Sequence, residues 1–216
     1  MSQPVKVWDF AVRFFHWSQL LLIAGLWYTG EEGLMAQHQL LAYTLLALIV
    51  GRIVWGFIGS DTARFSRFAA TPARALRYLR RPYPVTGHNP ASFYMIVLLI
   101  GLVLLQLITG MATFDNSYLS DGPLVSVLPS AWVDVASAIH KMNINVLLAA
   151  IAVHVVAALW HSIRLHNVLW AMLTGKDRHI SEAHPKLKHS GWYFLLVALL
   201  LTALYFWQGT KLMALL

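Results

Sequence analysis

The sequence predicts an all-α integral membrane protein, a four-helix transmembrane bundle with a fifth, peripheral transmembrane helix. Three observations predict it. Hydrophobic residues make up 58% of the 216 residues and charged residues only 12%, about half the charge of an average soluble domain. Mean hydropathy is +0.61, and a soluble globule of this size has no interior large enough to hide that much apolar surface. The apolar residues gather in five stretches of membrane-spanning length, with the charges set between them. A soluble enzyme, a disordered chain and a soluble nucleic-acid binder are excluded. The net charge of +7 does not argue for nucleic acid, because the basic residues sit in particular loops between the spans. Strand-like alternation is absent, which argues against a barrel.

The spans fall near residues 10–30, 38–58, 92–114, 137–160 and 191–209, in a single transmembrane domain over 1–216. Arg13 and His16 enter the first apolar run, no small-residue cleavage pattern follows it, and Glu31 and Glu32 come next. It reads as a retained helix rather than a secretory signal. Lys and Arg set the orientation. Segment 59–91 carries Arg64, Arg67, Arg74, Arg77, Arg80 and Arg81; segment 161–190 carries Arg164, Lys176, Arg178, Lys186 and Lys188. The other two loops hold neither Lys nor Arg, but Glu31, Glu32, Asp115, Asp121 and Asp134. The positive-inside rule puts the N-terminus and both basic loops in the cytoplasm and the C-terminus in the periplasm, with the chain in a bacterial inner membrane. PARALRYLRR, from Pro72 to Arg81, reads either as a short helix on the cytoplasmic leaflet with its arginines toward lipid phosphate, or only as an orientation signal. The fifth span, with Trp192 and Trp207 at its ends, offers no metal ligand.

With no cysteine in the chain, disulfides, thiolate metal sites, iron–sulfur clusters and covalent haem are all impossible. Ten histidines remain, four of them in spans or at their ends: His16, His38, His140 and His154. An ionisable side chain at membrane depth costs several kcal/mol unless partnered. His140 and His154 are fourteen residues apart, which turns a helix through about 1400° and puts both on one face, about 21 Å apart along the axis. In the predicted topology His16 shares the depth of His154, and His38 the depth of His140. Two histidines at each of two levels is what two bis-imidazole haems stacked in a four-helix bundle require, with electron transfer rather than oxygen binding as the work. Zinc is the rival, but it needs about four ligands, and no acidic residue lies in the spans near either pair.

The stretch VWDFAVRFFHW (Val7 to Trp17) resembles the opening of the first helix in bacterial di-haem b-type cytochromes, the nickel–iron hydrogenase cytochrome b subunit and prokaryotic cytochrome b561 group. GRIVWGFIGSDTARF after His38, GHNP before the third span and the paired histidines of the fourth carry the same resemblance over nearly the whole chain. Membrane subunits of respiratory formate dehydrogenases share the arrangement. The resemblance implies two non-covalent b haems, exchange of electrons with the quinone pool, and a periplasmic redox partner such as a c-type cytochrome or a hydrogenase-type subunit.

Around these ligands, Arg13 and Arg52 are candidate partners for haem propionates, with snorkelling to the headgroups as the alternative. Gly25, Gly51, Gly101 and Gly110 offer room for a macrocycle or another helix. His88, Asn89 and His161 are candidates for a cytoplasmic-side quinone site, where His88 and His161 titrate near neutral pH. Against this, Asn89-Pro90 reads equally as a helix cap and His161 as an interfacial polar residue; Lys141 and Asn143 mark the alternative quinone location. His166, His179, His184 and His189 read as solvated loop histidines. The functional expectation is a di-haem cytochrome relaying electrons between quinone and a periplasmic protein. A quinone-linked superoxide oxidase is the alternative, and a redox-inactive anchor and a metal transporter are rivals from other classes.

Overall fold

A computed structural model describes residues 4–83, 85–114, 121–165, 167–177 and 185–209. Asp115, His166, Arg178, His179 and His184 lie outside these residues. The described chain is predominantly helical: α1 (Phe10–Glu31), α2 (Met35–Ile58), α3 (Phe65–Phe68), α4 (Pro72–Arg80), α5 (Pro90–Met111), α6 (Ser130–Arg164), α7 (Val168–Thr174) and α8 (Gly191–Leu204), which continues as a π turn over Tyr205–Gly209. Two-residue strands, Val5–Lys6 (β1) and Lys176–Asp177 (β2), pair antiparallel. α1, α2, α5, α6 and α8 with its π turn are long and apolar enough to cross a membrane, and the protein is a multi-pass membrane protein. α6 exceeds its expected span at both ends. Its 35 residues make a rod of about 52 Å, against about 30 Å of hydrocarbon.

The contacts divide the chain into two compact units, and each spanning helix contributes to both. The first comprises residues 1–17, 50–98 and 152–196. Its α1 starts at a cap the sequence reading passed over: Asp9 Oδ1 accepts from Val12 N at 2.8 Å, while Oδ2 accepts from Trp55 Nε1 at 3.1 Å. One buried carboxylate thus satisfies a helix-end amide and ties α1 to α2. The amides of Val7 and Trp8 both donate to the Gly175 carbonyl. Gly175 ends α7 at φ +78°, where a side chain would strain the backbone and a Cβ would press on Trp8 O at 2.9 Å. Thr62 Oγ1 donates to Val7 O, Ser190 Oγ accepts from Ala11 N, and Asp61 accepts from Lys186 N and from Arg64. These polar loops stitch the helix ends together. Those bonds hold the Asp61 carboxyl below its ordinary pKa, the Lys186 amide first.

Helix α4 is the PARALRYLR segment. Thr71 caps it by accepting from Arg74 N, and Pro72 occupies the first turn. Ala75 and Tyr78 are buried, while Leu76 and Leu79 are exposed among the arginines, the amphipathic division of an interfacial helix. α8 begins in this unit with Tyr193 fully buried near Trp55 and with Phe194 against Phe10 and Phe14. The peripheral fifth helix packs against its own chain at this end, with Trp192 left outward.

The second unit comprises residues 18–49, 99–151 and 197–216. Leu45, Leu48 and Ile49 of α2, Val103 and Leu107 of α5, Leu147 of α6 and Val197 of α8 form its core. Asn143 is buried there and donates to Leu102 O at 2.9 Å and to Gln106 Oε1 at 2.7 Å, polar glue between α6 and α5. Gly33, at φ +69°, turns the chain from α1 to α2.

Candidate functional site

Each unit brings two histidine rings together. In the first, His16 of α1 and His154 of α6 have ring centroids 6.2 Å apart with planes inclined at 55°. In the second, His38 of α2 and His140 of α6 stand 6.4 Å apart at 77°. These separations are metrically informative. A metal–nitrogen bond is about 2.0 Å, and a five-membered ring of C–N bonds near 1.33 Å has a radius of about 1.1 Å. One metal ion held between two imidazoles therefore sets their centroids about 6.2 Å apart, whereas stacked or hydrogen-bonded rings have no reason to choose that distance twice. Among the described residues no group of three or more His, Cys, Asp or Glu gathers, so nothing in them completes a tetrahedral zinc shell. Two imidazoles per site are what a haem iron would take from the protein.

The second pair carries its own orienting bonds. His38 Nδ1 lies 2.9 Å from Leu26 O, and His140 Nδ1 lies 3.0 Å from Gln106 O. A carbonyl can only accept, so Nδ1 carries the proton in both rings and Nε2 holds the lone pair, which in His140 meets the Gln106 amide and which a metal would take over. The Gln106 amide nitrogen approaches His140 Nε2 at 3.3 Å and donates to His140 O at 3.1 Å. Gln106 escaped the sequence reading. Its signal was a lone amide in the middle of an apolar span.

The first unit is organised by buried cationic and aromatic groups. Arg52, 3% exposed, stacks its guanidinium 5.2 Å from the Phe65 ring and leaves Nη1 without a hydrogen-bond partner. Nearby Asp9 balances its charge through space while its oxygens take neutral N–H donors, so what Arg52 has to spare is a buried hydrogen-bond donor, Nη1. Arg13 is more committed: Nη1 donates to Leu173 O at 2.7 Å at the end of α7, and Nε alone is buried without a partner. His16 Nδ1 is likewise buried and unpartnered. Unspent donors in the unit that holds this pair are the chemistry that would receive carboxylates. Sequence reasoning missed Asp9, Trp55 and Tyr193 here; Asp9, immediately before the apolar run, carried a cap signal.

His88 sits between Trp8 and Phe68, at ring distances of 4.6 and 4.4 Å, with Nε2 buried and unpartnered. Burial pushes its pKa down to about 3, helped by the positive field of Arg52 and by His16 and His154. It is neutral at pH 7, which corrects the expectation that it titrates near neutrality. It also lines a cavity of about 220 Å³ with Asp61, Thr62, Arg67, Phe68 and Arg74. Asn89 is not among the lining residues; its Oδ1 caps α5 by accepting from Ala91 N and Ser92 N. His161 Nε2 shares a 2.7 Å hydrogen bond with Tyr78 Oη, and the two rings stack. Burial, and then Tyr83, raises the Tyr78 pKa. Of the candidate glycines, Gly25 faces Leu41 and Gly110 faces His140, while Gly101 adjoins open space.

A family model described as prokaryotic cytochrome b561 matches residues 7–175, from the start of α1 to the end of α7. It covers all four histidines, Arg13, Arg52 and His88. No curated protein and no solved structure shows a significant match.

Proposed function

Because the chain belongs to the prokaryotic cytochrome b561 family, and is thereby a membrane b-type cytochrome of electron transfer, we propose that it holds two non-covalent b haems and relays electrons between quinone and a periplasmic redox protein. The observation that carries the reading is the matched pair of imidazole centroid separations, 6.2 and 6.4 Å, each the span of one metal, its two bonds and two ring radii. His16 with His154 would hold one haem, and His38 with His140 the other. Bound there, haem b would supply one-electron transfer, and an imidazole pair at each site would favour that work over oxygen binding.

The residues do the rest. The Nδ1–H bonds of His38 and His140 to carbonyls fix the tautomer and strengthen the rings as donors. Arg52, with Nη1 unspent, would take a propionate of the His16/His154 haem, and Arg13 Nε offers a second contact. Quinone would exchange at the same unit, through His88 at its cavity and the Tyr78–His161 couple, where a buried phenol bonded to imidazole can pass a proton. The basic residues around α4 orient this unit to the cytoplasm. The exposed carboxylates Glu31, Glu32 and Asp134 would then face the periplasmic partner.

The deciding experiment is a pyridine haemochrome assay with redox titration on purified protein. Two haems per chain are expected, released by acidified organic solvent because no thiol exists to retain them. One haem or none overturns the reading. Reaction of partner-free protein with superoxide and quinone separates a relay from a superoxide oxidase, and terminal reporter fusions check the orientation.

A further inference from the structure

The rings of His38 and His140 are held by the same five-residue device, built twice. Residues 26–30 read Leu-Trp-Tyr-Thr-Gly near the end of α1, and residues 106–110 read Gln-Leu-Ile-Thr-Gly near the end of α5. In each, the first residue gives its carbonyl to the histidine Nδ1, at 2.9 Å from Leu26 and 3.0 Å from Gln106. The threonine hydroxyl donates one turn back, Thr29 to Gly25 O and Thr109 to Leu105 O, both at 2.7 Å. Its oxygen then stands beside the same Nδ1, at 3.3 Å for Thr29 and 3.4 Å for Thr109. The glycine clears the space. A Cβ on Gly30 would meet His38 Cε1 at 3.3 Å, and one on Gly110 would meet His140 Cε1 at 2.8 Å. Four correspondences between two helices, agreeing to about a tenth of an ångström in every hydrogen bond, are more than helix packing requires.

We propose that Thr29-Gly30 and Thr109-Gly110 are paired positioning elements that set the ring orientation and donor strength of His38 and His140 toward a haem iron. The proposal rests on reading those histidines as an axial pair. The threonine hydroxyl has its proton committed to a carbonyl, so its oxygen offers the Nδ1–H a second acceptor. Two acceptors at the Nδ1 edge hold the ring plane and make Nε2 more basic. A more basic axial ligand favours ferric over ferrous iron. The other pair lacks this device among the described residues: His16 Nδ1 is buried without a hydrogen-bond partner.

The test uses the full-length purified protein and reads potentials and spectra rather than turnover. Wild type and His38→Ala come first. If wild type holds no haem, or His38→Ala loses none, the axial-pair reading itself has failed. With that reading intact, Thr29→Val and Thr109→Val should keep both haems but raise the midpoint potential of the His38/His140 centre alone. The ferric/ferrous ratio at a fixed potential should change by severalfold and less than tenfold, and a tenfold change is about 59 mV for one electron. The low-spin ferric EPR signal of that centre, which depends on the angle between imidazole planes, should broaden or shift, while the other centre's signal stays put. Thr→Ser at either position should restore both readouts, which a merely packing role would not do. Gly110→Ala should lower occupancy of this haem far more than Gly30→Ala, following the 2.8 and 3.3 Å approaches. Unchanged potential and EPR in both Val variants, or equal loss in the two Ala variants, overturns the positioning role.

Discussion

Replacing Arg52 by Met tests the buried charge beside the His16/His154 pair, and its effect should change sign with haem content. Arg52 is 3% exposed, has one unpartnered guanidinium nitrogen and faces a carboxylate whose oxygens are both committed. Asp9 offsets part of that charge through space, but a buried ion lacking a full partner costs several kcal/mol, and Asp9 keeps its two N–H donors at the head of α1 when Arg52 is removed. Haem-depleted Arg52→Met should therefore be as stable as haem-depleted wild type or more so, in thermal unfolding in detergent. With haem bound, the same change removes one charge-assisted hydrogen bond to a propionate, worth about 1.5–3 kcal/mol. At about 1.4 kcal/mol per decade, haem at this centre should dissociate roughly ten- to a hundredfold more readily. Its midpoint potential should fall, because a positive charge near the iron favours the ferrous form. The assay is haem transfer to apomyoglobin alongside redox titration, with His38→Ala as background to isolate the affected centre. Unaltered transfer rate and potential would refute the argument, as would an effect confined to the His38/His140 centre.

His140→Ala and His154→Ala should remove different haems, each leaving one reversible redox wave. If His16→Ala and His140→Ala delete the same wave, the pairing is wrong. The His38/His140 centre, with carbonyl-bonded rings, should titrate at a lower potential than the His16/His154 centre beside Arg52; coincident or inverted potentials in the single-haem variants would contradict this. The folded-state pKa of His88 lies near 3, below its unfolded value of 6.5. Between those values the unfolded chain binds a proton that the folded chain does not, so stability falls as pH drops through that window. His88→Leu should flatten the pH dependence of thermal unfolding between pH 7 and 5, and an unchanged slope would show that burial does not hold His88 neutral. His161→Ala and Tyr78→Phe should each weaken quinol binding severalfold, in keeping with one hydrogen bond of about 0.5–1.5 kcal/mol, read as haem reduction by a quinol analogue in stopped flow.

The sequence by itself determined which segments cross the membrane. Apolar length is a local property, and the ends of α1, α2, α5 and α8 fall within a few residues of where hydropathy puts them. It also singled out His16, His38, His140 and His154, because an ionisable group in an apolar run stands out without any knowledge of its neighbours. The helical period further placed His140 and His154 on one face of α6. What lay beyond it depended on contacts between residues far apart in the chain. Neither Leu26 nor Gln106 announces that its carbonyl will orient a histidine on another helix, since every residue carries a carbonyl and only packing selects one. Asn89 and His88 are neighbours with opposite fates: one caps α5, and the other is buried between Trp8 and Phe68. Composition cannot separate them, because burial is decided by which distant side chains arrive. The same holds for α8, which has no polar anchor of its own in the span yet is seated by Tyr193 near Trp55. Local periodicity settles where a helix runs and which face it offers; the tertiary structure alone decides what meets that face, and here that means whether a donor is spent on the fold or left for a ligand.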